Sequence, residues 1–180
     1  MNRLIQLIVA LGMLVAAQGQ VPVRPEVPDS LRAPAGEEVV LAAHATGTQV
    51  YVCQQGWDQK YGWVFKAPEA ELTDAAGKKI IHHSAGPTWK HTDGSEVKAK
   101  VVAKQDAPKV EAPNPQAIPW LLLSAAAHSG EGILSRVTSI QRIHTVGGAP
   151  PEAKSCDGLS SGKEVGVAYA ADYYFYAPIR

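Results

Sequence analysis

Cysteine is almost missing from this chain: Cys53 and Cys156 are the whole complement in 180 residues. With no CxxC pair, neither a thioredoxin-type redox motif nor a four-cysteine zinc ribbon can be built. Net charge is missing too, with 17 basic and 17 acidic residues. That balance argues against a nucleic-acid surface, because phosphate affinity depends on accumulated positive charge. No GxGxxG follows a strand and no βαβ alternation occurs, which excludes a dinucleotide-binding fold. No GxSxG marks a nucleophile elbow. Internal repeats and heptads are likewise absent.

The longest apolar run, Leu4–Ala17, spans fourteen residues. A membrane-spanning helix needs about 20. Preceded by Asn2-Arg3 and followed by small residues at Ala17 and Gly19, the run has the pattern of a cleavable export signal over residues 1–19. Cleavage after Gly19 would leave 161 residues, enough for one domain with a real core. The expected address is secreted or periplasmic, with no membrane span after cleavage. In that oxidising setting two cysteines most simply form one disulfide, Cys53–Cys156. The chain-entropy account values a closure of that length at about 4–5 kcal/mol.

What is present is a succession of short β-like segments punctuated by glycine and proline. Residues 20–36 carry Pro22, Pro25, Pro28 and Pro34 and read as an extended leader. The domain then occupies residues 37–180. Glu38–His44 and Thr48–Cys53 read as two strands separated at Thr46-Gly47, the second placing Gln49, Tyr51 and Cys53 on one face. Tyr61–Lys66 alternates, Ala67–Leu72 suits one helical turn, and Lys79–His83 is extended. Asp93-Gly94 is the composition of a tight hairpin turn. Glu96–Gln105 shows the cleanest alternation, with Val97, Ala99, Val101 and Ala103 against Lys98, Lys100 and Lys104. Asp106–Gln116 is a proline-rich crossing. Ile118–His128 is almost wholly apolar, and its neighbours favour a strand over a helix. Ile133–Thr145 reads as one long strand, and Glu164–Tyr176 as the last. About eight antiparallel strands with long Pro/Gly-rich loops make an all-β sandwich or barrel.

Several of these segments, taken in order, resemble the DUF3455 family of secreted bacterial and fungal proteins. They are Gly47–Cys53, Gly86–Trp89 with Asp93–Ser95, Ile118–Leu122, Gln141–Gly148, Cys156 and Tyr169–Tyr176. The resemblance covers nearly the whole exported part and implies an address. It implies no activity.

The segment His82–Ser95 is the densest in chemistry, holding three of the six histidines and one of the four tryptophans. A two-residue turn at Gly86-Pro87 would set His82 opposite His91, close enough to share a zinc or copper ion. A third ligand from Asp93, Glu96, His44 or His144 would be required. Trp89 and Trp120, with Tyr51, Tyr61 and Trp63, suit an aromatic cleft for a sugar or an apolar small molecule. His83, Asp93 and Arg142 are the polar candidates around such a cleft. Arg142 is equally explained by an internal ion pair with Asp172. The expectation is a binding or surface-interaction module for a small molecule or carbohydrate. A metal-dependent enzyme at His82 and His91, and a structural envelope protein without a ligand, are the alternatives.

Overall fold

The computed structural model describes residues 22–108 and 116–180. The export-signal pattern and part of the proline-rich crossing lie outside the described residues. Eight antiparallel strands follow one another around a single sheet: β1 (Glu37–Gln55), β2 (Tyr61–Thr73), β3 (Lys79–Ser84), β4 (Thr88–His91), β5 (Glu96–Gln105), β6 (Trp120–Ser129), β7 (Ser139–Gly147) and β8 (Glu164–Pro178). β8 pairs with β1 and closes the sheet into a barrel. Among the described residues no helix is long and apolar enough to cross a membrane.

Closure depends on complementary size along the β1–β8 seam. Tyr169 and Tyr173 project inward from β8, and their partners across the seam on β1 are Gly47 and Ala43. Large rings on one strand fill the space that small residues on the next leave, as a narrow barrel requires. Gly47 does more than end a strand. β1 runs unbroken through it, and a Cβ there would sit 2.2 Å from the Glu69 carbonyl oxygen and 2.6 Å from the Ala70 Cβ. The glycine lets β2 approach, so the two strands read on either side of it are one.

Two other segments differ from their sequence pattern. Ala67–Leu72 belongs to β2 rather than to a helical turn; its Pro68 pairs with Gln49 beside a bulge at Val50/Tyr51, the kind of irregularity where a strand tolerates proline. Ile133–Thr145 is not one strand. Residues Ile133–Arg136 form a 3-10 turn, and β7 begins only at Ser139. The turn is held from outside: the Ile133 N–H donates to Asp93 Oδ2 at 2.8 Å and the Leu134 N–H to Ser95 Oγ at 3.1 Å. Leu134 and Val137 are thereby fully buried and cap one end of the barrel over Leu72, Val97 and Phe175.

The opposite end stays open. The β1–β2, β3–β4, β5–β6 and β7–β8 connections gather there. The predicted disulfide is present: Cys53 and Cys156 are bonded with their Cα atoms 5.5 Å apart, tying the end of β1 to the long β7–β8 loop. Trp63 Nε1–H donates to Ser155 Oγ at 2.9 Å and anchors the same loop to β2. The proline-rich leader is more than a surface crossing. Leu31 is fully buried on the outer face of the barrel with Val39, Leu122 and Tyr176. Its carbonyl accepts from Gln141 Nε2 at 2.6 Å, and the Tyr176 hydroxyl donates to Gln141 Oε1 at 2.5 Å. A second small core thus straps the N-terminal segment across β6, β7 and β8.

Gly47→Ala is expected to destabilise the protein by at least about 1–3 kcal/mol, the usual cost of overpacking. Gly62→Ala, on the adjoining strand, meets nothing within 4 Å and is expected to change stability by less than about 0.5 kcal/mol. Urea unfolding of both variants measures the difference.

Candidate functional site

The open end leads into a cavity of about 280 Å³. An eight-stranded barrel has an interior just wide enough to be filled by side chains or to hold one small ligand; here the capped end is filled and the open end is not. Phe65, Pro87, Val101, Ile118, Leu121 and Leu123 supply apolar wall. Into this wall the sheet sets a few polar groups: Gln49 from β1, His83 from β3, Trp89 from β4, Arg142 from β7 and Tyr173 from β8.

His83 and Trp89 are paired across β3 and β4. Their rings stack at 4.2 Å with an 8° interplanar angle, and Tyr173 meets both edge-on. His83 Nδ1 lies 2.9 Å from the Thr88 carbonyl oxygen. A carbonyl can only accept, so Nδ1 carries the proton and Nε2 is left as the acceptor. Burial lowers the His83 pKa to about 3, with the positive charges of Arg142 and His82 adding to that effect; the hydrogen bond to Thr88 opposes it. The ring is neutral at physiological pH.

Arg142 lies across the strand register from Tyr173 on one side and Leu121 on the other. It donates from Nη2 to the Pro119 carbonyl at 2.8 Å, while its Nε–H, buried, meets no acceptor. Its charge acts on the whole cavity, lowering the pKa of His83 and opposing the rise that burial imposes on Tyr51, Tyr169 and Tyr173. No Asp or Glu is among the described residues that line the cavity. Gln49 Nε2 and Trp89 Nε1 are likewise buried without a hydrogen-bond partner, and the hydroxyls of Tyr169 and Tyr173 adjoin each other and the Gln49 and Arg142 side chains without reaching full hydrogen-bond geometry. Tyr51, by contrast, is satisfied, donating to the Gly148 carbonyl at 2.6 Å.

Three of the residues expected at a site therefore meet here: His83, Trp89 and Arg142. Trp120 does not join them. It packs beside the second core on the outer face and meets His144 edge-on at 5.3 Å. Asp93 is at the capped end, where it accepts from the backbone and hydroxyl of Ser95 and from the Ile133 N–H. Burial alone would raise its carboxyl pKa; these hydrogen bonds outweigh it and hold the group well below the usual range. Its place is explained by the turn it staples.

The expected pairing of His82 with His91 is corrected by the β3–β4 register. The turn holds three residues, Ala85 to Pro87, so His82 lies opposite Lys90 and His91 opposite Ile81. One residue of shift puts the two histidines on opposite faces of the sheet. His82 bonds outside to Glu71 at 3.0 Å, and His91 sits with Asp93 at 3.0 Å. Among the described residues no group of three or more His, Cys, Asp or Glu side chains is placed to hold a metal ion. The Arg142–Asp172 ion pair is corrected in the same way. Asp172 points outward and binds His44 and His144, Nδ1 to carboxylate, at 2.7 and 2.8 Å.

Gln49 and Tyr173 were not anticipated as site residues. Gln49 had a signal, since it shares a strand face with Tyr51 and the disulfide-forming Cys53. Tyr173 had none, because an inward tyrosine on an apolar strand reads as core.

Residues 34–177 match the model of the DUF3455 family, whose description is a protein of unknown function. No curated protein and no solved structure matches the chain.

His83 carries a pH dependence whose sign follows from its lowered pKa. The unfolded chain takes up a proton below about pH 6.5, whereas the folded protein resists doing so until about pH 3. The contribution is fully present above pH 6.5 and is lost as pH falls towards 3. Between pH 7 and pH 4 the wild type should lose about 3 kcal/mol more stability than His83→Phe, which keeps the stack on Trp89. Urea unfolding across that range measures both slopes; equal slopes would show that His83 is not buried neutral.

Proposed function

The chain belongs to the DUF3455 family, and we propose that this member is an exported barrel that binds a small molecule in the open end of its interior. One observation carries the reading. A cavity open at one end, with apolar walls, is edged by side chains whose hydrogen-bonding groups are buried and unpaired. Leaving a buried donor unsatisfied costs about 1–3 kcal/mol, so several donors on one cavity wall favour a bound molecule that accepts from them. A predominantly apolar concavity with a few convergent polar groups is the usual form of a small-molecule site. The volume is near the lower end of the usual range of about 300–1,000 Å³, which favours a compact molecule over a long lipid or an oligosaccharide.

The reading is of binding rather than turnover. No Ser, Cys, Asp or Glu is among the described residues lining the cavity, so His83 has neither a nucleophile to activate nor a carboxylate to orient it there. Export is supported by the signal-like residues 1–19 and by the disulfide that braces the rim.

A panel of compact aromatic molecules (toluene, benzamide and benzoate) should include saturable binders in an amide-NMR titration. The shifted resonances should be those of His83, Trp89 and their strand neighbours. Leu123→Trp, which fills the cavity from its wall, should abolish those shifts while preserving the folded spectrum. Shifts elsewhere, or none with any of the three, would contradict the reading.

A further inference from the structure

The polar edge of the cavity is one-sided. Arg142 Nε, Gln49 Nε2 and Trp89 Nε1 can only donate, and all three are buried without an acceptor. The acceptors on the same wall, His83 Nε2, the Gln49 amide oxygen and the tyrosine hydroxyl oxygens, are all neutral. Arg142 adds a full positive charge that, among the described residues, has no ion-pair partner. Guanidinium is charged at any pH a protein experiences and presents its N–H groups in a planar fork matched to two oxygens of a carboxylate.

From this imbalance we propose that the cavity takes a small apolar molecule ending in a carboxylate, with the carboxylate on Arg142 and the apolar body against Leu121 and Leu123. The inference rests on the cavity being a ligand site and adds the chemical class of the ligand. A carboxylate supplies what the wall lacks, negative charge and oxygens that only accept. A neutral sugar could accept from these donors but brings no charge for Arg142, and most of its surface would lie against carbon. A hydrocarbon would fill the volume but leave the guanidinium and its neighbours without oxygen to bind. The Trp89 indole N–H and the Gln49 amide are further donors on the same cavity, so recognition need not depend on the charge alone.

Burying a charged group is costly unless it is paired. Arg142 donates to the Pro119 carbonyl and has no counter-charge; a carboxylate would supply one. The same argument makes Arg142→Met a tractable test, because it removes a charge that has no ion-pair partner and so relieves a desolvation cost.

Calorimetry or NMR titration of the exported protein with matched pairs measures the preference. The pairs are benzoate with benzamide, cyclohexanecarboxylate with its amide, and hexanoate with hexanamide, at a pH where the acids are ionised. In the wild type the acid should bind roughly ten- to hundredfold more tightly than its amide, the range expected of a charge-assisted hydrogen bond. In Arg142→Met, folded by its amide spectrum, that ratio should collapse to about one. Arg142→Lys, which keeps the charge without the fork, should retain part of it. Amides binding as tightly as acids in the wild type would overturn the carboxylate while leaving the cavity a ligand site. An acid preference that persists in Arg142→Met would overturn the role of Arg142. No binding by any member of the panel would overturn both readings together.

Discussion

A narrow barrel must decide what fills it, and here that decision is made along the seam where β8 closes on β1. Glycine and alanine on β1 leave room, and tyrosines on β8 occupy it. At the capped end Phe175, Leu134 and Val137 are fully buried in one cluster. Towards the open end the same strand supplies tyrosines, whose hydroxyls bring polarity inside, and β7 supplies an arginine. One closure therefore yields a packed core below and a polar-edged cavity above. The seam sets the position of both.

The outer devices support this division. The disulfide and the Trp63–Ser155 hydrogen bond hold the β7–β8 loop at the rim, where a long loop would otherwise be loosely tied. Asp93 and Ser95 hold the cap at the far end. The N-terminal strap buries Leu31 against the outside of β6–β8 and gives the strand that carries Arg142 a second layer of packing. A rigid wall matters because a buried cation offers a ligand little unless its orientation is already set.

Much of the fold was legible because a strand's period is two and its errors are local. The alternation of Val97 and Ala99 against Lys98 and Lys100, the two cysteines and the turn at Asp93-Gly94 all led to an eight-stranded antiparallel fold with one disulfide. Closure into a barrel rather than a sandwich was not legible, since both present the same alternation. Gly47 was misleading for a physical reason. A glycine that ends a strand and a glycine that admits a neighbouring backbone look the same in one chain. The site was legible in part. His83, Trp89 and Arg142 share a cavity, but the His82–His91 pairing depended on the length of one turn, and a single added residue reverses the face of a strand. Asp93 and Ile133 illustrate the remaining limit. Forty positions apart, they form one staple, and no local pattern announces a contact of that range.

Arg142 is the residue on which the account turns, and its own side-chain resonance is the most direct probe of it. A buried Nε–H without an acceptor should be visible in a nitrogen-15 spectrum of the protein and assignable by its loss in Arg142→Met. On addition of benzoate the account predicts a saturable downfield shift of that Nε–H proton, the signature of a new hydrogen bond to an anionic oxygen, with no comparable shift on addition of benzamide. An Arg142 resonance indifferent to benzoate, while the acid binds elsewhere on the protein or not at all, would contradict the claim that the open end of this barrel is built to hold a carboxylate.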